Sequence, residues 1–148
     1  MTVNPADSPV LGVLYGSDAM RAAMGEAAFL ERMMDVEAAL ARAQSRLGIV
    51  PPEAAAAITA AADASRLDIP ALAAATRNTG YPVVGLVKQL TALAGPEAGR
   101  WTHWGATTQD IMDTALVLQM RQGLALVRAE LIAVNTALAA LARAQTLL

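Results

Sequence analysis

Cysteine is absent from this 148-residue sequence, and histidine occurs once, as His103. Without cysteine there are no disulfides and no thiolate metal sites, and a reducing compartment is permitted; the expected location is cytoplasmic. One histidine with no acidic cluster leaves no credible metal centre. Aromatic residues amount to only 3%, although 55% of the chain is hydrophobic. Its apolar content is mainly Ala, Leu, Val and Met. Ala, Leu and Met favour helices and the strand-favouring aromatics are scarce, so the expected fold class is all-α.

A basic run is also missing. Eleven basic and thirteen acidic residues give a net charge of -2, and nothing in the pattern could follow a phosphate backbone. Nucleic-acid binding is therefore not expected. Met1 to Val13 has no basic segment leading into an apolar one, so no secretion signal is expected. The most apolar stretch, Gly123 to Ala142, is long enough to span a bilayer but carries Arg128, Glu130 and Asn135 near its middle. A charge at the bilayer centre costs about 2.5–3.5 kcal/mol on insertion scales. The expectation is no membrane, and a buried helix in a large bundle.

The length suits one domain with a real core. Residues 1–14 read as an irregular lead-in containing Pro5 and Pro9. Ser17-Asp18 offers an N-cap to a short helix that Gly25 interrupts. From Glu26 to Leu47, the residues Phe29, Met33, Val36, Leu40 and Leu47 recur at helical spacing, with charged residues between them. Gly48 and Pro51-Pro52 stop that helix, and Pro52 opens another, reaching about Ala62. Asp68 caps the next, with Pro70 near its start and Arg77 near its end. Asn78 to Pro82 is a turn, Val83 to Leu93 a helix closed by Gly95-Pro96, and residues 97–106 a loop.

From Thr108 to Leu148 there is no proline and one glycine, Gly123. A continuous helix there is roughly 60 Å long. Its apolar residues fall on nearly every face, so other helices must surround it. The preceding 107 residues cannot, which leaves further chain or other subunits.

The chemistry concentrates in Trp101 to Ile111, a glycine-bearing loop that delivers two hydroxyls to a helix start. Thr107 as N-cap and Asp110 at N3 resemble a capping box. The first-turn N–H groups and the positive end of the helix dipole suit a carboxylate. His103, just upstream, can hydrogen-bond an anion or move a proton near neutral pH. The same residues also have a purely structural reading: a plain cap, a packed loop histidine, and Trp101 and Trp104 as packing anchors.

The run His103-Trp104-Gly105-Ala106-Thr107-Thr108-Gln109-Asp110-Ile111-Met112-Asp113-Thr114 resembles the first signature region of the fumarase/aspartase superfamily, in the version found in bacterial 3-carboxy-cis,cis-muconate cycloisomerases. Gly16 to Met20, Asp35 to Ala43 and Leu86 to Thr91 fit the same family, so the likeness runs from about residue 11 onward. Adenylosuccinate lyases are also similar, but their Arg-Tyr and His-Asp pairs read here as Leu14-Tyr15 and Tyr81-Pro82. Neutral replacements cannot supply phosphate partners, so a small polycarboxylate substrate is implied rather than a nucleotide.

The resemblance implies a cofactor-free cycloisomerase in protocatechuate breakdown through the β-ketoadipate route, closing 3-carboxy-cis,cis-muconate to 4-carboxymuconolactone. It implies a division into an N-terminal helical domain, 1–107, and the start of a central bundle, 108–148. It also implies a homotetramer, with an active site built from three regions on three subunits. Thr107 and Thr108 would bind a substrate carboxylate, and His103 would hydrogen-bond substrate or assist proton transfer. Ser17 and Tyr81 would line the pocket, or serve only as a cap and a packing ring. The second and third regions fall beyond Leu148, so the 148-residue piece is expected to be inactive alone. Two other readings stand beside this one: a sister lyase acting on another small polycarboxylate, and a non-enzymatic helical interaction module.

Overall fold

The computed structural model describes residues 5–8 and 10–145. Expectations about Pro9 and about the helix beyond Gln145 lie outside the described residues. Among the described residues the fold is all-α, with no strand. Short 3-10 turns at Pro5–Asp7 and Gly12–Leu14 precede α1 (Asp18–Met24) and α2 (Glu26–Arg46). Then come α3 (Pro52–Ala61), a 3-10 turn at Ala64–Arg66, α4 (Ile69–Thr79), α5 (Pro82–Ala94), α6 (Pro96–Gly99) and α7 (Thr108–Gln145). These sort into two compact units. One holds α1 and α7 from Gln119 onward; the other holds α2 to α6 and α7 as far as Leu118.

In the first unit, the Ser17 hydroxyl accepts from the Met20 N–H at 3.2 Å and caps α1. Arg21 donates to the carbonyls of Gly12 and Gly16, at 3.0 and 2.6 Å, and so holds the lead-in turn. Gly25 ends α1, leaving last-turn carbonyls without helical partners. The buried Gln119 amide supplies them, donating to the carbonyls of Ala23 and Gly25 at 3.1 Å each. Four residues on, Gly123 lets the sulfurs of Met20 and Met24 come within 3.4 Å of the position a Cβ would take.

The second unit carries the main core. On α2, Leu30, Met33, Met34, Ala38 and Ala41 are buried. With Val50, Ile58, Leu72, Val83, Leu86, Leu90, Ile111 and Ala115 they form its interior. α2 packs on α3, α4 on α5, and α3 on both α5 and α6. Leu47, expected on the α2 stripe, is instead 76% exposed, because the helix ends at Arg46 and Gly48 turns left-handed at φ +73°. Asp68 caps α4 by accepting from the Ala71 N–H. Gln89 clamps the same residue, accepting from the Asp68 N–H at 2.8 Å and donating to its carbonyl at 3.0 Å. The α4 helix runs through Asn78 and Thr79, so the turn there is narrower than expected: Gly80, at φ +78°, and Tyr81.

Part of the segment expected as a loop over 97–106 is helical, since Pro96 opens α6 directly after Gly95. α6 lies so close to α5 that a Cβ on Gly99 would sit 2.6 Å from the Thr91 carbonyl oxygen. Thr102 fixes the chain just beyond, with its hydroxyl 2.6 Å from the Gly99 carbonyl and 2.5 Å from the Thr91 hydroxyl.

α7 has 38 described residues, about 57 Å at the helical rise. By length and composition it could cross a membrane; Arg128, Glu130 and Asn135 lie along it, and charge there is costly in lipid. Beyond Gln119 its apolar side chains are largely exposed, among them Leu124, Leu131, Ile132, Leu138 and Leu141.

Gly99→Ala is expected to destabilise the fold by about 1–3 kcal/mol, since overpacking against a backbone oxygen cannot be relieved by a rotamer change. Chemical denaturation of the variant against the parent chain measures this.

Candidate functional site

Two residues of the loop between α6 and α7 have left-handed backbones. Gly105 lies at φ +70°, which glycine adopts freely. His103 lies at φ +56° and is the one non-glycine residue with positive φ among those described. Histidine tolerates this region better than most side chains, but a non-glycine residue there still needs its surroundings to hold it.

Those surroundings come from α2. His103 Nδ1 lies 2.6 Å from Glu37 Oε1, a contact between residues 66 apart in sequence. Glu37 is 1% exposed, and the His103 side chain 18%. Two helical turns further along the same face, Gln44 donates from Nε2 to the Trp104 carbonyl at 2.7 Å. Trp101 packs against the core, and its ring centroid is 5.1 Å from that of Trp104. Trp104 itself is 49% exposed, so of the two expected anchors only Trp101 is held against the interior.

Burial decides the electrostatics of Glu37. Taking the carboxylate out of water raises its pKa above the ordinary value of 4.5, and the hydrogen bond and charge of His103 offset only part of that. Oε1 meets the imidazole, whereas Oε2 is buried without a hydrogen bond.

At the start of α7, Asp110 Oδ2 accepts from the Thr107 N–H at 3.0 Å. This is one half of the expected capping box. The reciprocal half does not form, and the Thr107 and Thr108 hydroxyls make no hydrogen bond among the described residues. Thr107 is exposed and Thr108 half-buried. Two hydroxyls and a helix N-terminus thus follow the anchored imidazole within five residues of chain.

The remaining sequence candidates each have a local structural task. Tyr81 is 53% exposed at the α4–α5 turn, and its backbone exchanges hydrogen bonds with the Thr79 hydroxyl. Ser17 belongs to the other compact unit, where its hydroxyl caps α1. Three cavities, of about 470, 470 and 560 Å³, lie beside α3 and α6, between α2 and α4, and between α2 and α3. None of these three is lined by His103, Thr107 or Thr108. No group of three or more metal-ligating side chains occurs among the described residues.

Sequence reasoning missed Glu37. The signal was there: it is the one acid on the stripe Leu30, Met33, Met34, Glu37, Ala38 and Ala41, where a charge is buried only if something pairs with it.

Residues 15–146 match the family described as lyase. The chain is 48% identical over 140 residues to the nitrosuccinate lyase of Streptomyces davaonensis, covering 93% of this chain and 30% of that protein. Over 144 residues it is 43% identical to the 3-carboxy-cis,cis-muconate cycloisomerase of Bradyrhizobium diazoefficiens, covering 95% of this chain and 32% of that one. Among solved structures, a fumarate lyase from Mesorhizobium sp. BNC1 superimposes with a TM-score of 0.82 at 53% identity. That match covers 87% of this chain and 30% of the other. The chain therefore spans about a third of the length of these relatives.

A carboxyl whose pKa is raised by folding contributes stability that is fully present below its unfolded value and lost as pH rises through the folded one. Replacing Glu37 by Gln removes that titration. From pH 4.5 upward, the stability of the parent chain relative to Glu37→Gln is expected to fall, and then level off once Glu37 is fully ionised. Denaturant unfolding of both proteins across this range tests the sign.

Proposed function

Because the chain belongs to the lyase family of the fumarase/aspartase superfamily, we propose that it forms the N-terminal part of a 3-carboxy-cis,cis-muconate cycloisomerase. In this reading, a substrate carboxylate oxygen adds to a double bond of the same molecule and closes a γ-lactone, 4-carboxymuconolactone. The π electrons move to the neighbouring carbon, where the attached carboxylate holds them as an aci-carboxylate until that carbon takes up a proton. Run backwards, the step is a β-elimination. Hydrogen-bond donors aimed at the developing charge contribute about 2.7–4 kcal/mol each, by analogy with oxyanion holes.

The observation that carries the reading is an imidazole anchored on a buried carboxylate, just before a helix start whose two threonine hydroxyls have no hydrogen-bond partner among the described residues. Thr107 and Thr108 hold a substrate carboxylate, assisted by the first-turn N–H groups. His103 hydrogen-bonds substrate or moves the proton. Ser17 and Tyr81 are weaker members of the pocket, since each already has a local structural task. Residues 1–107 act as the N-terminal domain and 108–148 as the start of a central bundle. In a homotetramer, the exposed apolar faces of α7 would be covered by helices of other subunits. The assembled protein works in the cytoplasm without a cofactor.

A second reading is favoured by the similarity to nitrosuccinate lyase: β-elimination from another small dicarboxylate, with the same hydroxyls holding the retained carboxylate. Both readings assign the first signature region the same task and differ in the substrate and in whether a bond is closed by addition or broken by elimination.

In the longer protein, Thr107→Val and Thr108→Val are each expected to lower kcat/KM roughly ten- to hundredfold, the worth of one hydrogen bond to a charged group. Parallel assays with 3-carboxy-cis,cis-muconate and nitrosuccinate decide between the readings. Faster elimination from nitrosuccinate would replace the first by the second, and turnover of neither would sink the first and remove nitrosuccinate as the substrate of the second. The 148-residue chain alone is expected to turn over neither substrate.

A further inference from the structure

We infer that Glu37 is a positioning residue: it fixes His103 as the tautomer protonated on Nδ1, so that Nε2 is the nitrogen left with a lone pair for chemistry. The inference deepens the proposed function, since its catalytic meaning rests on that reading. Its structural content stands on contacts within the chain.

Each polar atom of the pair has a limited choice of partner. An ionised carboxylate can only accept hydrogen bonds, so a 2.6 Å contact with Nδ1 requires the proton to sit on that nitrogen. Glu37 cannot turn to water instead, because it is 1% exposed, and its other oxygen is buried with no hydrogen bond among the described residues. His103 cannot readily swing away either. Its backbone occupies the left-handed region, and the next residue is tied to α2 through Gln44. α2 therefore grips the loop at Glu37 and Gln44, and only the first grip touches the ring. Nε2 makes no hydrogen bond among the described residues and is not one of the buried polar atoms left without a partner. It is the nitrogen open to a substrate.

Free imidazole exchanges its proton between the two nitrogens, so an unanchored ring presents a donor at Nε2 for much of the time. A charge-assisted hydrogen bond at Nδ1 removes that ambiguity. Neutral His103 then accepts a proton at Nε2, and the imidazolium so formed is stabilised by the carboxylate behind it, as in other acid–histidine pairs.

His103 is the sole histidine, so a ¹⁵N imidazole spectrum of the chain contains one ring and needs no assignment. At pH 8, Nδ1 is expected to be protonated and Nε2 unprotonated. In Glu37→Gln, whose amide can donate or accept, the tautomer ratio is expected to shift toward Nε2–H by about tenfold or more, the bias one charge-assisted hydrogen bond sets. Circular dichroism and thermal unfolding confirm that the variant keeps its fold. Should it unfold, the parent spectrum alone still decides. A parent ring protonated on Nε2, with Glu37 retaining the proton instead, would overturn the inference, and so would an unchanged ratio in a folded variant.

In the longer protein, Glu37→Gln should lower kcat by between about tenfold and 10⁴-fold, with KM changed far less because the threonine hydroxyls are untouched. The nitrogen spectrum needs no turnover. A wrong tautomer therefore defeats this inference alone, and an inactive protein with the right tautomer defeats the lyase reading.

Discussion

One contact organises the chemically interesting end of this molecule: the carboxylate of Glu37 against the imidazole of His103. It joins the middle of α2 to a loop that is also held through Gln44, Thr102 and the packing of Trp101 and Ala106. Desolvating a carboxylate is costly, and the cost is tolerable only because a partner sits against one oxygen. A core built for stability alone would place another methionine or leucine in that position, as it does at Met33 and Met34 on either side of the same stripe. Retaining an acid there trades stability for the orientation of a ring.

The rest of the second unit reads as scaffolding for that contact. Gly99 lets α6 close onto α5, and the Thr91–Thr102 hydroxyl pair fixes where the chain leaves α6. From there, two left-handed residues turn the loop within three positions and deliver Thr107 and Thr108 to the head of α7. Ile111 and Ala115 then bury the first turns of α7 in the same core that holds Glu37. Imidazole and hydroxyls are thus referred to one rigid interior, which is what a site needs if its groups are to keep their spacing.

How much of this was legible in the sequence depended on range. Most signals acting within four residues were read correctly: the caps at Ser17 and Asp68, the stop at Gly48, and the helix start at Pro52. Errors arose at the ends of elements, where a helix stopped or started a residue or more from the expected place. Leu47 fits the periodicity of α2 but falls after its end, and Pro96 opened a helical turn inside what looked like a loop. The capping box formed only its Asp110 half. His103 was singled out from its motif, but its partner was not, because the pairing spans 66 residues and no spacing rule reaches that far. What could have been seen was an acid out of place on an apolar face.

The left-handed backbone at His103 changes how a substitution there should be interpreted. Alanine removes the ring but also puts a side chain poorly suited to positive φ into a loop that cannot relax, so any loss mixes torsional strain with missing chemistry. Asparagine is at home in that conformation. It subtracts the imidazole and leaves the chain path intact, which makes it the cleaner reference for what the ring itself contributes.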